Sequence, residues 1–215
     1  MQKIEKRKNS TQLLRFLAIL VLIAGFGLRI AKANALPLDQ IEATLAMSAE
    51  NLFEDNAQIS QPFYTVITGI LFWLFEDSNL VARIIPILAG SALILMPWLA
   101  GDWLSDRAKL GLSIGFAFDP ALVAASKTIG STIIAVAAIF LAVLLFLKKK
   151  PIGVGVALAI VFMSGPAFVT GGLAYGLAFL LVLIRHDEAG KVKASLREYS
   201  WKPTLIAFAV SYGLI

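Results

Sequence analysis

Apolar residues in this chain come in long runs separated by short charged or turn-forming stretches. The runs cover residues 13–31, 81–104, 110–125, 129–147 and 152–184. A helix crossing a bilayer needs about 20 predominantly apolar residues, so each run is expected to be a span. The run at 152–184 is too long for one helix, and Ser164-Gly165-Pro166 divides it into spans at 152–164 and 166–184. A further span begins at 203–215, and the chain stops inside it, as expected of a piece of a longer protein. Pro86 and Pro97 lie in the second run, Pro97 as a kink, and Asp119-Pro120 lies near one end of the third. Between the first two runs, Leu38, Ile41, Leu45, Ala49 and Leu52 recur at helical spacing and predict an amphipathic helix. The pattern predicts an all-α, polytopic transmembrane helical bundle of about seven spans, with 1–215 as a single domain.

One apolar stretch does not fit. Pro62–Phe75 is only about 14 residues long, short for a span. The distribution of basic residues decides its orientation. With a cytoplasmic N-terminus and a stretch that does not cross, Arg107, Lys109, Lys148-Lys149-Lys150, Arg185, Lys191, Lys193, Arg197 and Lys202 all fall inside. Arg29, Lys32, Arg83 and Lys127 then sit outside or at the outer edge. A crossing stretch would invert every later loop and violate the positive-inside rule. Pro62–Phe75 is therefore expected to lie at the interface, with Tyr64, Phe72 and Trp73 at the headgroups. An outer loop at 32–80 follows, built from two interfacial helices and carrying Asp39, Glu42, Glu50, Glu54, Asp55, Glu76 and Asp77. Lys3, Lys6, Arg7 and Lys8 precede the first run, and Ala33-Asn34-Ala35 has the form of a signal-peptidase site. The length of the run and the spans after it favour an uncleaved first span.

Composition narrows the chemistry. Of 215 residues, 59% are hydrophobic, against roughly 45–50% in soluble domains. With no cysteine there is no disulfide, thiolate nucleophile or cysteine-bound metal. His186 is the single histidine, reads as a solvated linker residue, and cannot build a histidine metal site. The net charge of +5 reads as membrane topology and not as nucleic-acid binding. No cofactor is expected, and no residue cluster supports a divalent metal.

Few residues remain that carry chemistry, and each has a plain structural reading beside the functional one. Asp39, in Leu36-Pro37-Leu38-Asp39-Gln40-Ile41-Glu42, is a carboxylate at the water boundary; with Glu42 it is also a capping box. Arg83 and Lys127 are cations at the outer edge that either bind an anion or anchor and snorkel to headgroups. Asp119 is an acid near a span end, functional or simply solvated. The glycines from Gly153 to Gly176 read as close helix packing.

Several stretches in order resemble one family. Arg29 closes the first span, Leu36-Pro37-Leu38-Asp39 opens the first loop helix, and Gln61-Pro62-Phe63-Tyr64 opens the second. Asn79-Leu80-Val81-Ala82-Arg83-Ile84-Ile85-Pro86-Ile87-Leu88-Ala89-Gly90 and Asp119-Pro120-Ala121-Leu122-Val123-Ala124-Ala125-Ser126-Lys127-Thr128 follow. Together they resemble the GT-C superfamily of polyprenyl-phosphate-sugar-dependent membrane glycosyltransferases, in the branch of protein O-mannosyltransferases and the lipid A aminoarabinose transferase. The resemblance implies transfer of a sugar from a lipid-linked donor to an acceptor hydroxyl or amine at the outer face of the cell membrane, with inversion. It implies Asp39 as catalytic base, Arg83 or Lys127 against the lipid phosphate, and Glu42 one turn from Asp39 orienting it or the acceptor; Asp119 completes the candidate set. The sequence departs from the family where Gln40 follows Asp39, where Gln61 precedes Pro62, and at Gly130, Ser131 and Thr132, where many members carry a second acid. The first departure leaves the proposed base in place; the other two weigh against a metal and a two-carboxylate mechanism. Two rival readings are a non-catalytic scaffold or partner subunit with the same bundle, and a small transporter. Against the transporter, no span is expected to carry a buried charge pair and no inverted repeat is visible.

Overall fold

The computed structural model describes residues 2–54, 59–166 and 199–213, and all regular structure among them is helical. The helices are α1 (Gln2–Ile30), α2 (Gln40–Glu50), α3 (Pro62–Phe75), α4 (Asn79–Leu99), α5 (Asp106–Phe118), α6 (Pro120–Lys127), α7 (Thr132–Leu147), α8 (Pro151–Met163) and α9 (Trp201–Gly213). A short 3₁₀ turn, Gly101–Trp103, links α4 to α5.

Local signals explain most of the boundaries. Asp39 starts α2, and Ser78 and Ser105 start α4 and α5 with side-chain caps. Pro62, Pro120 and Pro151 occupy first-turn positions, where a missing N–H costs nothing. The third apolar run differs from its expected form. It is two helices bent by 54° at Asp119, so this acid marks a break inside the run and not its end. Pro120 cannot donate the helical bond and restricts the residue before it, and the Asp119 carboxylate caps the new helix through Leu122 N at 2.9 Å.

Length separates the helices. Among the described residues, Asn79–Leu99 alone is long and apolar enough to cross a membrane, or two spans if the bent α5–α6 pair counts as one. The apolar helices α3, α7 and α8 have 14, 16 and 13 residues. The expected span at 166–184 and the linker carrying His186 lie outside the described residues.

Helix α4 is the hub and touches α1, α3, α5, α6 and α7, while α8 joins α7 to α9. The core groups Leu45, Tyr64, Ala82, Leu93, Met96, Ile129, Ile133, Ile134 and Ala137, so the loop helices α2 and α3 pack on α4 and α7. Large apolar side chains stay exposed along α1 and on α3, including Phe16, Ile23, Trp73 and Phe75. The chain ends up with two chemically distinct ends. Segment 31–42, the start of α4 and the turn 127–131 meet at one end. At the other, Phe146 near the end of α7 makes tilted ring contacts with Tyr199 and Trp201 at the start of α9.

Candidate functional site

Asp39 lies at the end of the bundle where the loop helices meet α4 and α7. Its side chain is exposed, and its Oδ1 accepts from Glu42 N at 2.7 Å. The Glu42 carboxylate accepts in return from Asp39 N at 3.3 Å, which completes the capping box anticipated from the spacing.

Glu42 does more than cap. It is buried, 7% exposed, and its two oxygens serve three segments. Oε2 also accepts from Arg83 Nη2 at 3.3 Å. Oε1 accepts from Ile129 N at 2.7 Å, in the turn between α6 and α7. A carboxylate therefore reaches the turn next to the positions, Gly130 to Thr132, that lack an acid of their own. Burial makes Glu42 part of the frame, and of its two expected tasks, orienting Asp39 or an acceptor, its hydrogen bonds are with Asp39 and the backbone.

Arg83 requires the larger correction. It was expected at the outer edge, facing an anion or the headgroups, and it is 1% exposed. Nη1 donates to the carbonyls of Ala33 at 2.7 Å and Leu36 at 3.0 Å, and Nη2 to Pro37 at 3.4 Å. Segment 31–39 leaves α1 without regular structure, so its carbonyls need donors. The planar guanidinium fork supplies several at once, which a lysine cannot do. Arg83 therefore folds the loop against α4 with both terminal nitrogens engaged, while its Nε is buried without a partner.

Lys127 remains as a cation for a ligand. It sits in the last turn of α6, where its charge also suits the helix dipole. Nζ donates to Ala31 O at 3.0 Å, and the side chain is only partly buried. An ammonium has three protons, so two stay available. Asp119 is exposed and lies at the opposite end of α6, about 12 Å away along the eight-residue helix. It stands apart from the cluster.

Three polar residues complete the site. Gln61, ahead of α3, accepts from Ser131 N at 2.6 Å through Oε1. Tyr64 is fully buried and donates to Ala82 O at 2.9 Å, and burial pushes its hydroxyl above the ordinary value. Arg29 lies fully buried beneath this end. Its Nε donates to Ser126 Oγ at 3.1 Å, and its terminal nitrogens donate to the carbonyls of Gly25, Phe116 and Ala117 at 2.8–3.2 Å. The last two carbonyls belong to the end of α5, freed by the bend at Asp119. Gln61 and Arg29 are legible only as family landmarks; nothing in the local pattern marks them as partners of distant backbone groups. No grouping of three or more acids or histidines able to hold a metal occurs among the described residues.

No protein-family profile, curated protein or solved structure matches the chain.

Proposed function

We propose that the chain is a membrane glycosyltransferase that moves a sugar from a polyprenyl-phosphate donor to an acceptor hydroxyl or amine at the outer face of the cell membrane. In this reading it is a multi-pass protein of about seven spans, with a cytoplasmic N-terminus and the loop 32–80 outside. The observation that carries it is an exposed carboxylate, Asp39, on a helix start fixed by a buried Arg83–Glu42 pair that also reaches the turn bearing Lys127. Asp39 takes the acceptor proton as the acceptor attacks the anomeric carbon. The bond from that carbon to the phosphate oxygen breaks, and Lys127 meets the departing lipid phosphate. Arg83 and Glu42 position these groups without touching substrate.

A second reading has its own support. Asp39 is engaged as a cap, the terminal nitrogens of Arg83 are bonded to the backbone and Glu42, and no acid stands at Gly130 to Thr132. A non-catalytic scaffold that keeps the bundle needs nothing more.

Asp39→Asn separates the two, because asparagine caps a helix about as well as aspartate but cannot act as a base. Assayed with a panel of polyprenyl-phosphate sugars, the variant is expected to lose about 10²-fold or more in transfer while its melting temperature holds. Full activity in Asp39→Asn rules out Asp39 as the base. An inactive parent chain across the panel favours the scaffold.

A further inference from the structure

The N-terminus of α7 presents backbone amides with no helical partner. Ser131 stands at the cap position, yet its side chain caps nothing and its Oγ is buried without a partner. What is held from a distance is the turn leading into the helix. Glu42 Oε1 takes Ile129 N at 2.7 Å, and Gln61 Oε1 takes Ser131 N at 2.6 Å. Gly130, between them, has φ +123°, and a Cβ there would lie 3.1 Å from both Gln61 Oε1 and Leu45 Cδ1. The turn is thus held in a glycine-only conformation, closely covered by the two loop helices. Gly165, at φ +66°, packs against this segment from the far side: a Cβ there would collide with the Ser60 carbonyl oxygen and lie 3.2 Å from Gln61 Cγ.

We propose that Gln61 is a positioning residue. Together with Glu42 it clamps the turn that follows Lys127, and the clamp holds Lys127 at a fixed separation from Asp39. Glu42 touches both ends of this linkage, since it also accepts from Asp39 N. A single point of attachment at Ile129 leaves the turn free to pivot; the second point at Ser131 stops it. Lys127, two residues before Ile129, is then held against Ala31 O. An acceptor oxygen is what the clamp requires, so glutamate replaces Gln61 and alanine does not. The clamp is a statement about geometry, and its effect on catalysis rests on the glycosyl-transfer reading.

The test uses the whole chain in detergent or nanodiscs, as Gln61→Ala and Gln61→Glu. Hydrogen exchange at the Ser131 amide is expected to quicken about five- to tenfold in Gln61→Ala, the worth of one hydrogen bond. The middle of α7, at Ala135 and Ala138, should keep its protection. Acylation of Lys127 by a soluble succinimidyl ester, read by peptide mass spectrometry, should rise several-fold in the same variant. Gln61→Glu should restore both readouts. Unchanged exchange at Ser131 or unchanged Lys127 acylation in Gln61→Ala overturns the clamp, and so does fast exchange in Gln61→Glu, which also decides the matter if the alanine variant does not fold. Where the parent transfers sugar, kcat should fall in Gln61→Ala with KM for the donor little changed. A kcat equal to the parent's removes the positioning role. A parent that transfers no sugar, combined with the expected exchange and acylation, upholds the clamp and sinks the transferase reading alone.

Discussion

Replacing Glu42 tests the arrangement at its centre. The Arg83–Glu42 pair is 3.3 Å apart, with Arg83 1% and Glu42 7% exposed, so solvent screens it little. Breaking a buried pair by removing one partner costs about 3–5 kcal/mol. Arg83 keeps three carbonyl acceptors, which places the loss at the lower end. In Glu42→Ala the buried Ile129 amide also loses its acceptor, at about 1–3 kcal/mol. Since the two effects share one side chain and do not simply add, the expected loss is about 4 kcal/mol. Glu42→Gln keeps an acceptor oxygen for Ile129 but turns an amide NH2 toward the Arg83 and Asp39 donors, so about 3 kcal/mol is expected. A double-mutant cycle with Arg83→Met isolates the pair, with an expected coupling of about 2 kcal/mol. Equilibrium unfolding of the purified chain in micelles, followed by circular dichroism and by tryptophan fluorescence, measures each variant and checks that the two probes coincide. A coupling below about 0.5 kcal/mol would mean that the pair is incidental and that the carbonyl contacts alone hold the loop.

Two further outcomes are expected. The chain has no cysteine, so Ser60→Cys and Arg107→Cys, both at exposed positions, are clean reporters: in intact cells an impermeant maleimide should label the first and not the second, and the reverse pattern inverts the topology. Arg29→Met strands the Phe116 and Ala117 carbonyls at the bend and should cost about 3 kcal/mol, whereas Arg29→Lys should cost less because an ammonium still reaches part of the set; equal stability of Arg29→Met and the parent in the same unfolding assay would show that the bend needs no donor.

Much of the helical order was readable because it is written locally. Asp39 with Glu42 three residues on announces a capping box, and that box is present. Pro62–Phe75 reads as a short apolar helix and is one. Ser164-Gly165-Pro166 ends α8 where the glycine adopts a positive φ. The Asp119 break was only half legible. Asp-Pro signals a helix start, but hydropathy runs smoothly through it, so the run looked like one span with an acid near its end. The inward turn of Arg83 and Arg29 was not legible at all. A cation beside an apolar run reads as a headgroup anchor, and what draws these two inward are the carbonyls of residues 33–37 and 116–117, distant in sequence. Windowed hydropathy carries no record of which carbonyls lack donors.

That blind spot has a consequence for the candidate site. Irregular backbone at the end of a helical bundle creates unpaired carbonyls, and a membrane chain can satisfy them with arginine, whose fork reaches several from one helix position. Arg83 serves the exit from α1, and Arg29 serves the bend between α5 and α6. Each is at most 1% exposed. Of the cations marked from sequence as anion binders, Arg83 therefore has its terminal nitrogens committed to the fold, and under the proposed transfer the phosphate contact is assigned to Lys127. The division follows from reach. Lys127 ends a helix and bonds a single carbonyl, so it can turn toward a ligand at the loss of one hydrogen bond, about 1 kcal/mol. Arg83 would have to give up three carbonyls and a buried carboxylate.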